Sequence, residues 1–151
     1  MRYHRWLPIA IFAVALSVLR IVSPVQANES DVRATVSKPV TIAISGRAAH
    51  ASADASARLV VTVTGYEPST AGPVTTVVSL RCGSDVREIG RFGIFPNKAF
   101  SVSDGTKPQR FGFPLPDDPS CRQPETAIIR LEPQTGGGAG ASITISDASI
   151  E

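Results

Sequence analysis

Tryptophan, histidine and cysteine are scarce in this 151-residue chain, and where the few copies stand decides what chemistry the chain can host. Trp6, His4 and Tyr3 all fall within the first six residues. Past them remain one histidine, His50, one tyrosine, Tyr66, and two cysteines, Cys82 and Cys121. A metal site needs several imidazole, thiolate or carboxylate ligands converging, and a single histidine beside two cysteines that can pair with each other does not supply them. A stacking platform for sugars needs exposed indole or phenol rings, and one tyrosine is a poor one. No apolar pattern at spacing three and four persists for three turns, which excludes a helical fold. No run reaches the roughly 20 uninterrupted apolar residues of a membrane span, since Arg20 breaks the longest one.

That longest run belongs to a leader. Arg2 and Arg5 precede an apolar stretch from Leu7 to Leu19, and Val25-Gln26-Ala27 follows with a small residue at its end, the three-part layout of a secretory signal peptide. Cleavage is expected after Ala27; an uncleaved anchor is the competing reading. Residues 28–151 then form one domain of ordinary size. Of the 15 basic residues three stand in the leader, so twelve face 13 acidic ones in the rest, and the basic surplus expected of a nucleic-acid binder is missing. The expected location is secreted or periplasmic, where Cys82 and Cys121 form one disulfide across a loop of roughly 40 residues, worth about 4 kcal/mol by chain entropy. Free thiols or a bridge to a partner chain are the alternatives.

What the domain does have is β-pattern. Val36, Val40, Ile42 and Ile44 share a parity, with Pro39 marking an edge or a bulge. Leu59, Val61 and Val63 alternate with Val60, Thr62 and Thr64. Val74, Thr76, Val78, Leu80 and Cys82 form a third set, aimed at the same interior. Ser84–Glu88 is polar, and Ile89–Phe95 alternates glycine with apolar residues, as where backbones approach closely. Phe100 and Val102, then Phe111 and Phe113, then Ala127, Ile129 and Leu131, and finally Ile143 and Ile145 mark further short strands. Asp104-Gly105 reads as a tight turn, residues 28–34 as a frayed terminus, and Gly136–Gly140 as a flexible loop. Seven or eight short strands separated by turn residues predict a single antiparallel β-sandwich of Greek-key type. All five phenylalanines outside the leader lie between Arg91 and Leu115, bracketed by the cysteines, which predicts that the core centres there.

With the strands laid out, the order of features resembles the β-sandwich that follows the copper domain in polyphenol oxidases, tyrosinase-like proteins and molluscan hemocyanins. LVVTVTGYEP, PVTTVVSLRC, IGRFGIFPNKAF and the terminal ITISD carry the likeness, from about Leu59 to Asp147. It implies a module that covers the entrance of a catalytic domain. The six copper-binding histidines of that family lie in the other domain, so no copper role carries over, and no cofactor is expected.

Catalytic candidates are few. His50, Ser52 and Asp54 stand close, but in an alanine-serine run with no glycine elbow they read as a solvated loop. An enzyme built on this chain would have to draw on His50, Asp54 and Arg91. Asp104, Asp117 and Asp118 lack the regular acidic spacing of a calcium loop and read as turn residues. TGGGAGAS has the glycines of a phosphate loop without its Gly-Lys-Ser/Thr ending. The expectation is therefore a non-catalytic binding or accessory module acting on another secreted protein, a structural envelope component being the further alternative. Its candidate partner contacts are Phe95, Lys98, Arg91 and Tyr66. Phe95 breaks the parity of Phe92 and Ile94 just before Pro96, so its ring is either bared or turned inward by a bulge.

Overall fold

β-Branched residues with restricted χ1 rotamers crowd the chain wherever it is extended, and the computed structural model, which describes residues 31–46, 57–121 and 123–151, pairs those runs into two sheets. Among the described residues the strands are β1 (Val32–Thr35), β2 (Val40–Ala43), β3 (Ser45–Gly46), β4 (Arg58–Glu67), β5 (Val74–Cys82), β6 (Asp85–Phe92), β7 (Phe100–Ser101), β8 (Gln109–Pro114), β9 (Thr126–Pro133) and β10 (Ser142–Ile150). The first sheet runs β1-β10-β4-β7, with β3 also on β10 and β8 also on β4; the second runs β2-β9-β5-β6. Pairing is antiparallel except for the two-residue match of β3 to β10. Apart from the β5–β6 hairpin, neighbours in space are distant in sequence, and the result is the β-sandwich expected, with eight strands of four or more residues and two short ones.

The inner faces follow the alternation. Leu59, Val61 and Val63 from β4, Val78 and Leu80 from β5, Ala127 and Ile129 from β9, and Ile143 and Ile145 from β10 are all buried at 1 % exposure or less. Two bulges then reset the parity. Thr64 is the extra residue between the pairs Val63↔Ile145 and Gly65↔Thr144, and Ser146 is extra between Ile145↔Val63 and Asp147↔Thr62. The first turns Tyr66 inward, where unbroken alternation would leave it outside; the second moves the buried set of β10 to Ala148 and Ile150.

The centre of the core is consequently aliphatic, not aromatic. The largest fully buried side chains are Leu59, Leu80, Ile129, Ile143 and Ile145, none of them in the 91–115 segment. The phenylalanines form a side wall instead, between edge strands β6 and β8 of the two sheets. Phe92 stacks on Phe111 with ring centroids 3.9 Å apart, and Phe113 lies 6.0 Å from Phe92. Gly90 makes room for this wall, because a Cβ there would collide with the Phe113 ring.

Other expectations are corrected by pairing. Residues 32–35 are not frayed but form β1 on β10. Val36–Lys38 turns rather than extends, so β2 starts after Pro39, at the edge of its sheet. Ser84–Glu88 is not a polar connection, since Asp85–Glu88 opens β6 after a Gly83-Ser84 turn, with Cys82 paired to Asp85. Gly136–Gly140 is not loose either. Thr70 N–H donates to Ala139 O at 2.9 Å and Gly138 N–H to Ala71 O at 3.0 Å. Gly72 and Gly136 have φ of 90° and 66°, and a Cβ on either would run into the opposite backbone.

The loop end of the sandwich

Strand directions divide the molecule into two ends. At one, Cys82 at the end of β5 is joined to Cys121, Cα to Cα 4.6 Å, tying the second sheet to the segment after β8. Nearby, Asp118 accepts from the Ser120 N–H (2.9 Å) and hydroxyl (2.7 Å) and from Arg87 (2.9 Å). The Ser120 hydrogen bonds first, and Arg87 after them, hold its carboxyl below the usual range. Asp118 is therefore a turn residue in a working turn. Among the described residues no three His, Cys, Asp or Glu side chains converge as a metal site would require, and no helix is long and apolar enough to cross a membrane.

At the other end, β4 finishes at Glu67, β5 begins, β6 finishes at Phe92, and the β9–β10 connection returns, so that three loops meet. The loop from Gly93 to Ala99 carries Phe95, which is 90 % exposed although Phe92 and Ile94 on either side of Gly93 are buried. The Phe95–Pro96 peptide is cis, and Lys98 N–H donates back to Pro96 O at 2.7 Å, closing a turn. Tyr66 holds that turn from below. Its ring is 6 % exposed and its hydroxyl donates to Asn97 Oδ1 at 2.8 Å.

The four surface candidates thus part company. Phe95 and Lys98 are exposed on the same turn. Tyr66 is removed from the surface by the bulge at Thr64 and acts as the support of that turn, a role that strict alternation could not show. Arg91 is engaged elsewhere. Its Nε donates to Glu88 Oε1 at 2.6 Å and its other guanidinium nitrogens to Glu88 and Glu132, while Arg130 stands 3.8 Å and 3.7 Å from the same two carboxylates. These four side chains cover Val77, which lies in register between Arg91 and Arg130 on the outer face yet is fully buried. The hydrogen bond from Arg91 is the chief cause holding the Glu88 carboxyl low. His50, Ser52 and Asp54 lie outside the described residues.

Burial raises the phenol of Tyr66 above its ordinary range, and since residues 28–151 hold no other tyrosine and no tryptophan, the ultraviolet spectrum of that part of the chain reports this one phenol. A spectroscopic titration of residues 28–151 is expected to show the phenolate forming at higher pH in folded than in unfolded protein. The folded-state value being the raised one, this group's contribution is fully present below pH 10 and fades as pH rises through the folded value. Tyr66→Phe should remove it together with about 1 kcal/mol for the lost hydrogen bond. Ionisation at the ordinary value in folded protein would contradict the burial.

Fold and loops together define a single disulfide-bridged β-sandwich with one pinned, aromatic-tipped loop. Compared with family models, curated proteins and solved structures, the chain matches none.

Proposed function

We propose that this chain is an exported, non-catalytic binding module that assists a separate secreted protein, with Phe95 as its central contact and Lys98 beside it. The observation that carries this reading is the 90 % exposure of Phe95 on a turn that is fixed and not free. Large rings are ordinarily buried, and interface anchors are commonly single aromatic side chains on preorganised backbone with polar or charged residues at the rim. The disulfide and the absence of a membrane-spanning helix among the described residues are consistent with an oxidising compartment, and the leader's layout supports export into it. The resemblance to the covering module of copper oxidases points the same way, toward lying on another protein's surface.

Phe95→Ala is expected to change stability by no more than about 0.5 kcal/mol, as surface substitutions do. A photo-crosslinking residue at position 95 should give one discrete adduct with another exported protein in the native host. A 3 to 5 kcal/mol loss on Phe95→Ala, of the size core rings show, or no discrete adduct, would defeat the reading. So would hydrolase turnover abolished by His50→Ala, which would make the chain an enzyme.

A further inference from the structure

We propose that the groove between β1 and the Gly136–Gly140 loop binds a small ligand through its oxyanion, a carboxylate or phosphate held by Arg33 and by backbone N–H groups of the loop. This site is independent of Phe95, and either can fail without the other.

The groove, open to solvent, offers about 400 Å³, with Arg33, Thr35, Val36 and Ser37 on one wall and residues 137–142 on the other. Its lining holds one cation and no carboxylate. Among the described residues Arg87, Arg91, Arg110 and Arg130 each stand within 4 Å of a carboxylate, whereas Arg33, Arg58 and Arg81 do not, and of these three Arg33 is the one that lines the groove. Arg33 is nevertheless fixed. One guanidinium nitrogen donates at 2.6 Å to the hydroxyl of Ser142, a residue only 3 % exposed that also lines the groove. A guanidinium has five N–H donors, so most of its donor capacity remains for a planar or tetrahedral oxyanion.

The opposite wall is supplied with donors of its own. The N–H of Gly138 is spent on Ala71 and that of Ala141 on Gly138, but among the described residues those of Gly137, Ala139 and Gly140 meet no protein acceptor. Gly138 and Gly140 have φ of 62° and 82°. The three residues that carry the unspent N–H groups all line the groove, and backbone N–H groups in turns of this kind can receive anions. Beyond Arg33 a smaller depression of about 180 Å³ is lined by Glu67 and by Ser101 and Thr144. The carboxylate there repels an anion and so assigns the oxyanion to the loop side of Arg33.

The test is a titration of the folded protein with inorganic phosphate and, separately, with acetate, at constant ionic strength made up with chloride, following the amide resonances of residues 137, 139 and 140 and the Arg33 side chain. Saturable shifts at these positions are expected, absent in Arg33→Gln and about tenfold weaker in Gly137→Pro, which removes one donor to a charged acceptor. Tighter saturation by phosphate assigns a phosphate-bearing ligand, and tighter saturation by acetate a carboxylate. No saturable shift with either anion, shifts of the same size from chloride, or shifts unchanged in Arg33→Gln would overturn the site.

Discussion

A Cys82→Ala, Cys121→Ala chain is expected to melt roughly 15 °C below the wild type. Closing a loop whose ends are 39 residues apart removes about 4 kcal/mol of unfolded-state freedom, and in a domain of this size that converts to such a shift. The enclosed segment explains why the bridge matters here. It contains β6, β7 and β8, which are edge strands of both sheets and depend for lateral support on the phenylalanine wall. Cys82 is 3 % exposed and Cys121 fully buried, so thiol reagents should find no free thiol in native protein and reductant should act only after the fold opens. Melting within about 2 °C of the wild type, or two thiols titrating in folded protein, would show that the bridge does not carry this load.

Much of this architecture was legible from parity alone. Leu59, Val61 and Val63, then Val78, Leu80 and Cys82, then Ala127, Ile129 and Leu131 face inward as the alternation predicts, because a half-buried strand has a strict period of two. The departures have a common cause in single extra residues. Thr64, Ser146 and Ile89 each insert one position into a ladder, and nothing in a β-branched run marks where such an insertion falls. Alternation alone therefore leaves Tyr66 open as a surface contact, whereas the bulge makes it the packed support of a loop. The aromatic segment misled for a different reason. Ring size indicates how much area a residue could bury, not whether the two sheets meet at its position, and edge strands β6 and β8 place Phe92, Phe111 and Phe113 at the side of the sandwich. At Phe95 the broken parity posed the right question, and only the backbone turn at Pro96 answers it. Arg33 gave no signal in the sequence, since its significance comes from β1 lying beside a loop more than 100 residues later.

Ile129→Ala is expected to cost about 4 kcal/mol, toward the upper end of the range for such truncations. Ile129 is fully buried in β9, with Val40 of β2 on one side and Val78 of β5 on the other in the same register. The penalty has two parts, the lost transfer of three methyl or methylene groups and the cavity left behind, and the second depends on whether the surroundings can close in. Here they cannot close far. Both neighbouring strands are fixed by ladder hydrogen bonds, and facing sheets keep a separation of about 10 Å set by all their inner residues together. Ile129→Val, which leaves most of the volume filled, should cost only about 1 kcal/mol. Denaturant unfolding of the two variants and of Phe95→Ala gives an order that follows from an aliphatic centre: Ile129→Ala largest, Ile129→Val small, Phe95→Ala near zero. A loss below about 1 kcal/mol for Ile129→Ala, with a larger one for Phe95→Ala, would return the core to the aromatic segment and overturn both the packing described and the exposed contact built on it.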